Sequence, residues 1–149
     1  MKARGWMVLA AGLLLAAGAP SKDDLAKKDL DAMKGTWKAV SGEEDGKAVP
    51  EDDAKKFKLV VDGDKYTFTV EGISEEQGTI KLDPSQKPRA IDVKILSGDD
   101  KGKSQHGLYE VEGDTLKLCF TPPGAERPKE MAGKEGTNAT LFVFKRQKP

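Results

Sequence analysis

The sequence predicts a mainly β protein, an up-and-down antiparallel barrel of about eight strands preceded by a short N-terminal helix. Three observations carry that expectation. From Gly35 onward, apolar and polar residues alternate with a period of two in one short segment after another, the pattern of strands with one buried and one solvated face. Compact turn signals, such as Asp62-Gly63 and Gly113-Asp114, separate many of the segments and join sequence neighbours as hairpins. A meander closed on itself also removes the unpaired strand edges that invite aggregation.

The elements follow in order. Ser21 to Lys34 reads as the helix, with Ser21, Asp23 and Asp24 as its start, Leu25, Leu30 and Met33 as a sparse apolar stripe, and Gly35 as its stop. Trp37 and Ala39 alternate with Thr36, Lys38 and Val40 in the first strand, and Ser41 to Val49 reads as a loop. Pro50 with Glu51 to Asp53 opens one helical turn. Strands are then expected around Phe57–Val61, Tyr66–Val70, Ile80–Leu82, Ile91–Ile95, Leu108–Val111 and Leu116–Phe120, with Ala139–Arg146 last. Pro122 and Pro123 end the penultimate strand, because proline cannot donate to a ladder. They begin the longest loop, which runs to Asn138.

Alternation assigns Trp37, Phe57, Leu59, Val61, Tyr66, Phe68, Val70, Ile80, Leu82, Ile91, Val93, Ile95, Tyr109, Val111, Leu116, Leu118 and Phe120 to the interior. In the last strand the choice between Leu141 with Val143 and Phe142 with Phe144 is open. With 37% hydrophobic and 34% charged residues the chain has enough apolar material for one core, hence one domain.

The first nineteen residues differ in character: Lys2 and Arg4, then an uncharged Leu- and Ala-rich run from Trp6, closing on Ala16, Ala17, Gly18 and Ala19. Basic, apolar and small in that order is the plan of a cleaved signal peptide, too short for a membrane span. The division expected is therefore 1–19 signal peptide, 20–34 helical lead-in and 35–149 barrel domain, in an exported protein of the periplasm or extracellular space. Lipid anchoring needs a cysteine after the apolar run, and the only cysteine is Cys119, so no intramolecular disulfide forms either. Loss of Lys2 and Arg4 from 25 basic side chains against 25 acidic ones leaves a mature charge of about −2. That balance argues against nucleic acid as the main partner. The mature chain is expected to be a monomer without a membrane span.

Gly35-Thr36-Trp37 after a helix resembles the Gly-x-Trp opening of lipocalin-type barrels, in which the Trp closes one end under a basic residue near the last strand; Lys145 or Arg146 would fill that place. The series continues with Gly63-Asp64-Lys65-Tyr66-Thr67-Phe68, Gly78-Thr79-Ile80-Lys81-Leu82-Asp83-Pro84, Pro88-Arg89-Ala90-Ile91-Asp92, Gly107-Leu108-Tyr109-Glu110, Leu116-Lys117-Leu118-Cys119-Phe120 and Pro122-Pro123-Gly124. In that order, from Lys34 to Lys145, it resembles an uncharacterised family of exported lipocalin-like domains abundant in planctomycete bacteria. The resemblance implies a fold and a compartment. That family has no established activity, so no residue inherits a role.

No catalytic or metal-binding constellation stands out, so a non-enzymatic domain with no cofactor and no metal is expected. His106 shares the outer face with Leu108 and Glu110 and has no nucleophile motif beside it. Cys119 lies on an outer face with Lys117 and Thr121. Asp62 with Asp64, and Asp99 with Asp100, lack the further oxygen ligands of a calcium loop and serve turns. Glu43 to Asp45 and Glu51 to Asp53 read as solvated acids. Two functional readings remain. In the first, the barrel holds a small apolar ligand, with Trp37, Tyr66, Phe68, Tyr109, Phe120 and the loop residue Arg127 as candidate contacts; Tyr66 and Tyr109 supply hydroxyls from within. In the second, the barrel is filled and the loops, chiefly Pro122 to Asn138, contact an envelope protein or glycan.

Overall fold

A computed structural model describes residues 20–148. The expected signal peptide, 1–19, lies outside the described residues. The chain runs through helix α1 (Lys22–Met33), strands β1 (Gly35–Glu44) and β2 (Lys47–Ala48), the single-turn helix α2 (Glu51–Ala54), and strands β3 (Phe57–Asp62), β4 (Lys65–Val70), β5 (Ser74–Asp83), β6 (Ala90–Ile95), β7 (Ser104–Glu112), β8 (Thr115–Phe120) and β9 (Thr140–Arg146). Each of β3 to β9 pairs antiparallel with its neighbour in sequence, β1 pairs with β3 on one side and β9 on the other, and β2 is a short flap on β1. The result is a closed eight-stranded meander, as the alternation and turns predict.

Helix α1 starts at a capping box: Ser21 Oγ accepts from Asp24 N at 3.1 Å, and the Asp24 carboxylate accepts from the Ser21 amide. Its last carbonyls have no partner within the helix. The barrel supplies them. Trp37 Nε1 donates to Met33 O at 2.8 Å, and Arg146 donates to Ala32 O at 2.7 Å and to Lys34 O. Arg146 also lies over the Trp37 ring, 4.2 Å from its centroid, and donates to Asp114. Of the two basic residues expected to cover the Trp, Arg146 does so. Ala26, Leu30 and Met33 pack on the core, so α1 closes one end of the barrel.

The interior matches the alternation. All the residues assigned inward join one cluster except Val70, which sits at the opposite, open end. Register settles the last strand: Leu116 faces Phe144 and Leu118 faces Phe142, so Phe142 and Phe144 point inward while Leu141 points out.

Three strand limits and one loop differ from expectation. Strand β1 continues through Ser41–Glu44, read from sequence as loop, because a register shift between Ala39 and Ser41 re-phases the alternation. The chain then reverses through Asp45 and Gly46, both at positive φ, the backbone of a tight two-residue hairpin. Strand β5 begins at Ser74 rather than near Thr79, and β7 at Ser104 rather than near Leu108, because these added lengths contain almost no apolar residue to alternate. The loop 121–139 differs in placement, because its Arg127, a candidate ligand contact, is held on the outside of β6 and β7. Its middle lies on the outer wall, where Met131 packs on Leu108, Cys119, Ala139 and Leu141. Gly133 N donates to the Glu43 carboxylate at 2.7 Å, so Glu43 is a strut for the loop rather than a solvated acid.

Candidate functional site: a cavity at the open end of the barrel

Four connections surround the open end: the β1–β3 segment with its β2 flap, the β4–β5 turn, the β6–β7 loop and the β8–β9 loop. Behind them the barrel encloses a cavity of about 410 Å³. That falls within the roughly 300–1,000 Å³ of small-molecule sites. Met33 reaches it from α1, and Leu59, Ile80, Ile91, Val93, Leu118 and Phe144 form apolar walls. Phe57, Phe68 and Phe142 stand nearer the mouth; Phe57 packs 4.6 Å from Phe142 and 5.8 Å from Phe68, between centroids. Pro122, Pro123 and Asn138, the two ends of the long loop, line the mouth together with Glu44 and Asp100.

On four strands the inward positions nearest the mouth carry glycine or a polar residue in place of a large apolar one. In β1 these are Gly42 and Glu44, in β5 Glu76 and Gly78, in β7 Gln105 and Gly107, and in β9 Thr140. The three glycines each face an aromatic ring across the ladder: Gly42 opposite Phe142, Gly78 opposite Tyr66, and Gly107 opposite Phe120. A Cβ on any of them would fall within 3 Å of its partner ring. Each ring therefore lies flat on the bare backbone of the next strand instead of filling the lumen.

One polar pair is built into the wall. Tyr66 Oη donates to Glu76 Oε2 at 2.8 Å. Burial first, then the hydrogen bond and charge of Glu76, push the Tyr66 phenol far above the ordinary tyrosine value, so it stays protonated. Gln105 Nε2 donates to Thr121 O at 2.9 Å and fixes the start of the long loop at the rim.

No family model matches the chain, and neither a curated protein nor a solved structure does.

The structure divides the expected contact residues. Tyr66, Phe68 and Phe120 line the cavity. Trp37 does not: it is fully buried at the closed end under Arg146. Tyr109 is also buried away from the cavity, and its hydroxyl donates to Asp29 of α1 at 2.6 Å. Burial and Asp29 raise its pKa well beyond the usual range. Arg127 lies on the outer wall. It donates to Ile91 O at 3.0 Å, to Gly107 O at 2.9 Å and to Asp92 Oδ1 at 2.7 Å, pinning the long loop to β6 and β7. Ligand contact is therefore not its role here; it is a clasp.

The remaining candidates sit where the outer face places them. His106 Nδ1 lies 2.6 Å from Asp92 Oδ1, beside the Arg127 clasp. Burial works against the ionised Asp92, but hydrogen bonds from His106 and Arg127 and the Arg127 charge outweigh it and hold the carboxyl below its ordinary value. Cys119 is fully buried beneath the loop, its thiol facing Glu130 O and Ala132 O at 3.6 Å, and burial pushes its pKa up. Among the described residues no group of three or more His, Cys, Asp or Glu is arranged to hold a metal ion. Among them, too, no helix is long and apolar enough to cross a membrane.

Two residues escaped the sequence reading. Asp29 is a buried acid in α1 that accepts from Tyr109 and from Arg89 at 2.8 Å, tying the helix to the barrel. Glu76 is the cavity carboxylate that Tyr66 donates to. Its signal was present: Glu76 and Gly78 continue the inward period of Ile80 and Leu82 toward the mouth. A wider groove on the outside, over β1 and β3, carries Lys38, Lys55, Lys56, Lys58 and Lys148. It lies on the outer surface, away from the barrel interior.

Proposed function

We propose that this protein is a non-enzymatic, exported carrier domain that holds one small, largely apolar molecule inside its barrel. The observation that carries the reading is the apolar cavity of about 410 Å³ at the open end. Its size suits a small ligand, and its walls offer mainly hydrophobic and aromatic surface with few polar groups. Burying an apolar ligand there gains about 25 cal/mol for each Å² removed from water. The cross-strand glycine–aromatic pairs support the same reading, because larger residues at Gly42, Gly78 and Gly107 would drive the rings into the space. Export through the segment 1–19, and kinship with exported lipocalin-like domains, belong to this proposal. The alternative, an interaction module with a filled barrel, is disfavoured by the space itself and by a long loop whose apolar Met131 is spent on the barrel wall.

The test is uptake of a neutral apolar dye, N-phenylnaphthylamine, followed by its fluorescence, together with native mass spectrometry of protein from its own host. Saturable one-to-one binding is expected, and Val93→Phe, which fills the cavity wall, should abolish it while leaving the far-ultraviolet spectrum unchanged. Dye binding that Val93→Phe leaves intact, or no binding at all, would remove the carrier reading.

A further inference from the structure

The cavity is selective in charge as well as in shape. Its lining includes Glu44, Glu76 and Asp100 and, among the described residues, no Lys, Arg or His, although the whole chain carries 25 basic side chains. Asp100 is partly offset by Lys103 at 3.1 Å. Glu76 stands deepest in the barrel, opposite Phe68, and its neighbour there is a hydroxyl that has already committed its proton to it. The Glu76–Tyr66 pair therefore presents to the lumen only acceptor lone pairs, on a carboxylate and a phenolic oxygen. Glu44, two residues beyond Gly42 on β1, adds a second negative charge at the rim.

We infer that the ligand is an amphiphile with a cationic, hydrogen-bond-donating head, an ammonium or guanidinium group on an apolar body, and that the head docks on Glu76 and Tyr66 with Glu44 at the mouth. This rests on the carrier reading and adds a head-group chemistry to it. Each alternative head loses something. A purely apolar molecule sealing the mouth would take Glu76 out of water with no partner for its charge. A carboxylate or phosphate head would face two like charges with no base to neutralise them. A neutral hydroxyl can donate to Glu76 but brings no charge. An ammonium satisfies both acceptors and compensates the carboxylate, in a charge-assisted hydrogen bond about twice as strong as a neutral one.

Three probes of equal chain length separate these cases: dodecylamine, dodecanol and dodecanoate, each below its micellar concentration, titrated calorimetrically at neutral pH and low salt into protein expressed from the full chain. The amine is expected to bind at least about tenfold tighter than the alcohol, and dodecanoate weakest of the three. Glu76→Gln, which keeps an acceptor for Tyr66 and nearly the same shape, should bring amine and alcohol to within about threefold while alcohol affinity holds. Added salt should weaken the amine alone. Equal affinity for amine and alcohol, or tighter binding of dodecanoate, would overturn the head-group inference and leave the carrier reading standing. An amine preference that survives in both Glu76→Gln and Glu44→Gln would overturn it as well. Failure of all three probes would sink the carrier reading and the inference together.

Discussion

Replacing Gly78 by alanine is expected to destabilise the protein, against the general trend. Gly78 lies within β5 and its backbone is open to any L-residue, so alanine should on ordinary grounds stabilise by about 0.4–1 kcal/mol through lost freedom of the unfolded chain. The surroundings reverse the sign. A Cβ at Gly78 would stand 2.2 Å from Lys94 O, 2.6 Å from Tyr66 Cε1 and 2.7 Å from Tyr66 Oη. The ring can swing aside only by breaking its bond to Glu76, and Lys94 O belongs to the β6 backbone. Overpacking of this kind costs about 1–3 kcal/mol. Loss of a half-buried, charge-assisted bond adds about 1 kcal/mol more. The net should be a loss of about 2 kcal/mol, which in a domain of this size lowers Tm by roughly 6–10 °C. Urea unfolding of wild type, Gly78→Ala and the outward-facing control Thr79→Ala measures it, and the dye titration reports the cavity in the same samples. Gly78→Ala as stable as wild type, with unchanged dye affinity, would refute the argument that glycine keeps Tyr66 flat and the lumen open.

Other expectations follow from the same contacts. Arg146→Met should cost about 3 kcal/mol in urea unfolding, because it strips the Trp37 ring of its cation and takes the donor from the Ala32 and Lys34 carbonyls at the end of α1; a loss below about 1 kcal/mol would mean water replaces the arginine fully. Both tyrosines of the chain are held protonated, Tyr66 chiefly by burial and then Glu76, Tyr109 chiefly by burial and then Asp29. Their folded pKa values lie above the unfolded value of about 10, so the stability they contribute is complete below pH 10 and fades only above it. A spectrophotometric titration should therefore show no tyrosinate at about pH 11 until the protein unfolds. Asp92 has the opposite sign: its depressed pKa contributes stability above the unfolded value of about 4, lost as pH falls below it. Hydrogen exchange in the 122–138 loop, corrected for intrinsic rates, should rise below about pH 4, and Asp92→Asn should abolish that pH dependence. Cys119 should resist thiol reagents at pH 8 and label roughly tenfold faster in Arg127→Ala, where the loop loses its clasp.

The fold was legible wherever the inward positions are apolar. Inward positions such as Leu59, Val61, Ile91, Ile95, Leu116 and Leu118 are apolar, and their contrast with outward Lys and Asp writes a clear period of two. Tight turns at Asp62-Gly63 and Gly113-Asp114 then leave little choice but a meander. The mouth halves of β1, β5 and β7 were not legible, because there the inward residues are Gly42, Glu44, Glu76, Gly78, Gln105 and Gly107. With no apolar residue inside, alternation carries no signal. The missed strand ends lie along one part of the cavity wall, while its aromatic part, Phe57, Phe68, Phe120 and Phe142, was legible.

The sequence alone therefore determined the closed meander, its entry helix and most of the interior, since local alternation and turn chemistry are properties of neighbouring residues. Tertiary structure alone decided the rest. Whether Tyr109 could meet a ligand depended on Asp29, eighty residues away. Whether Arg127 reached the lumen depended on which side of β6 and β7 the long loop lay. Whether the barrel was open depended on three glycines meeting three rings across the ladder. These are pairings between distant segments, fixed by register and closure, and no periodicity along the chain records them.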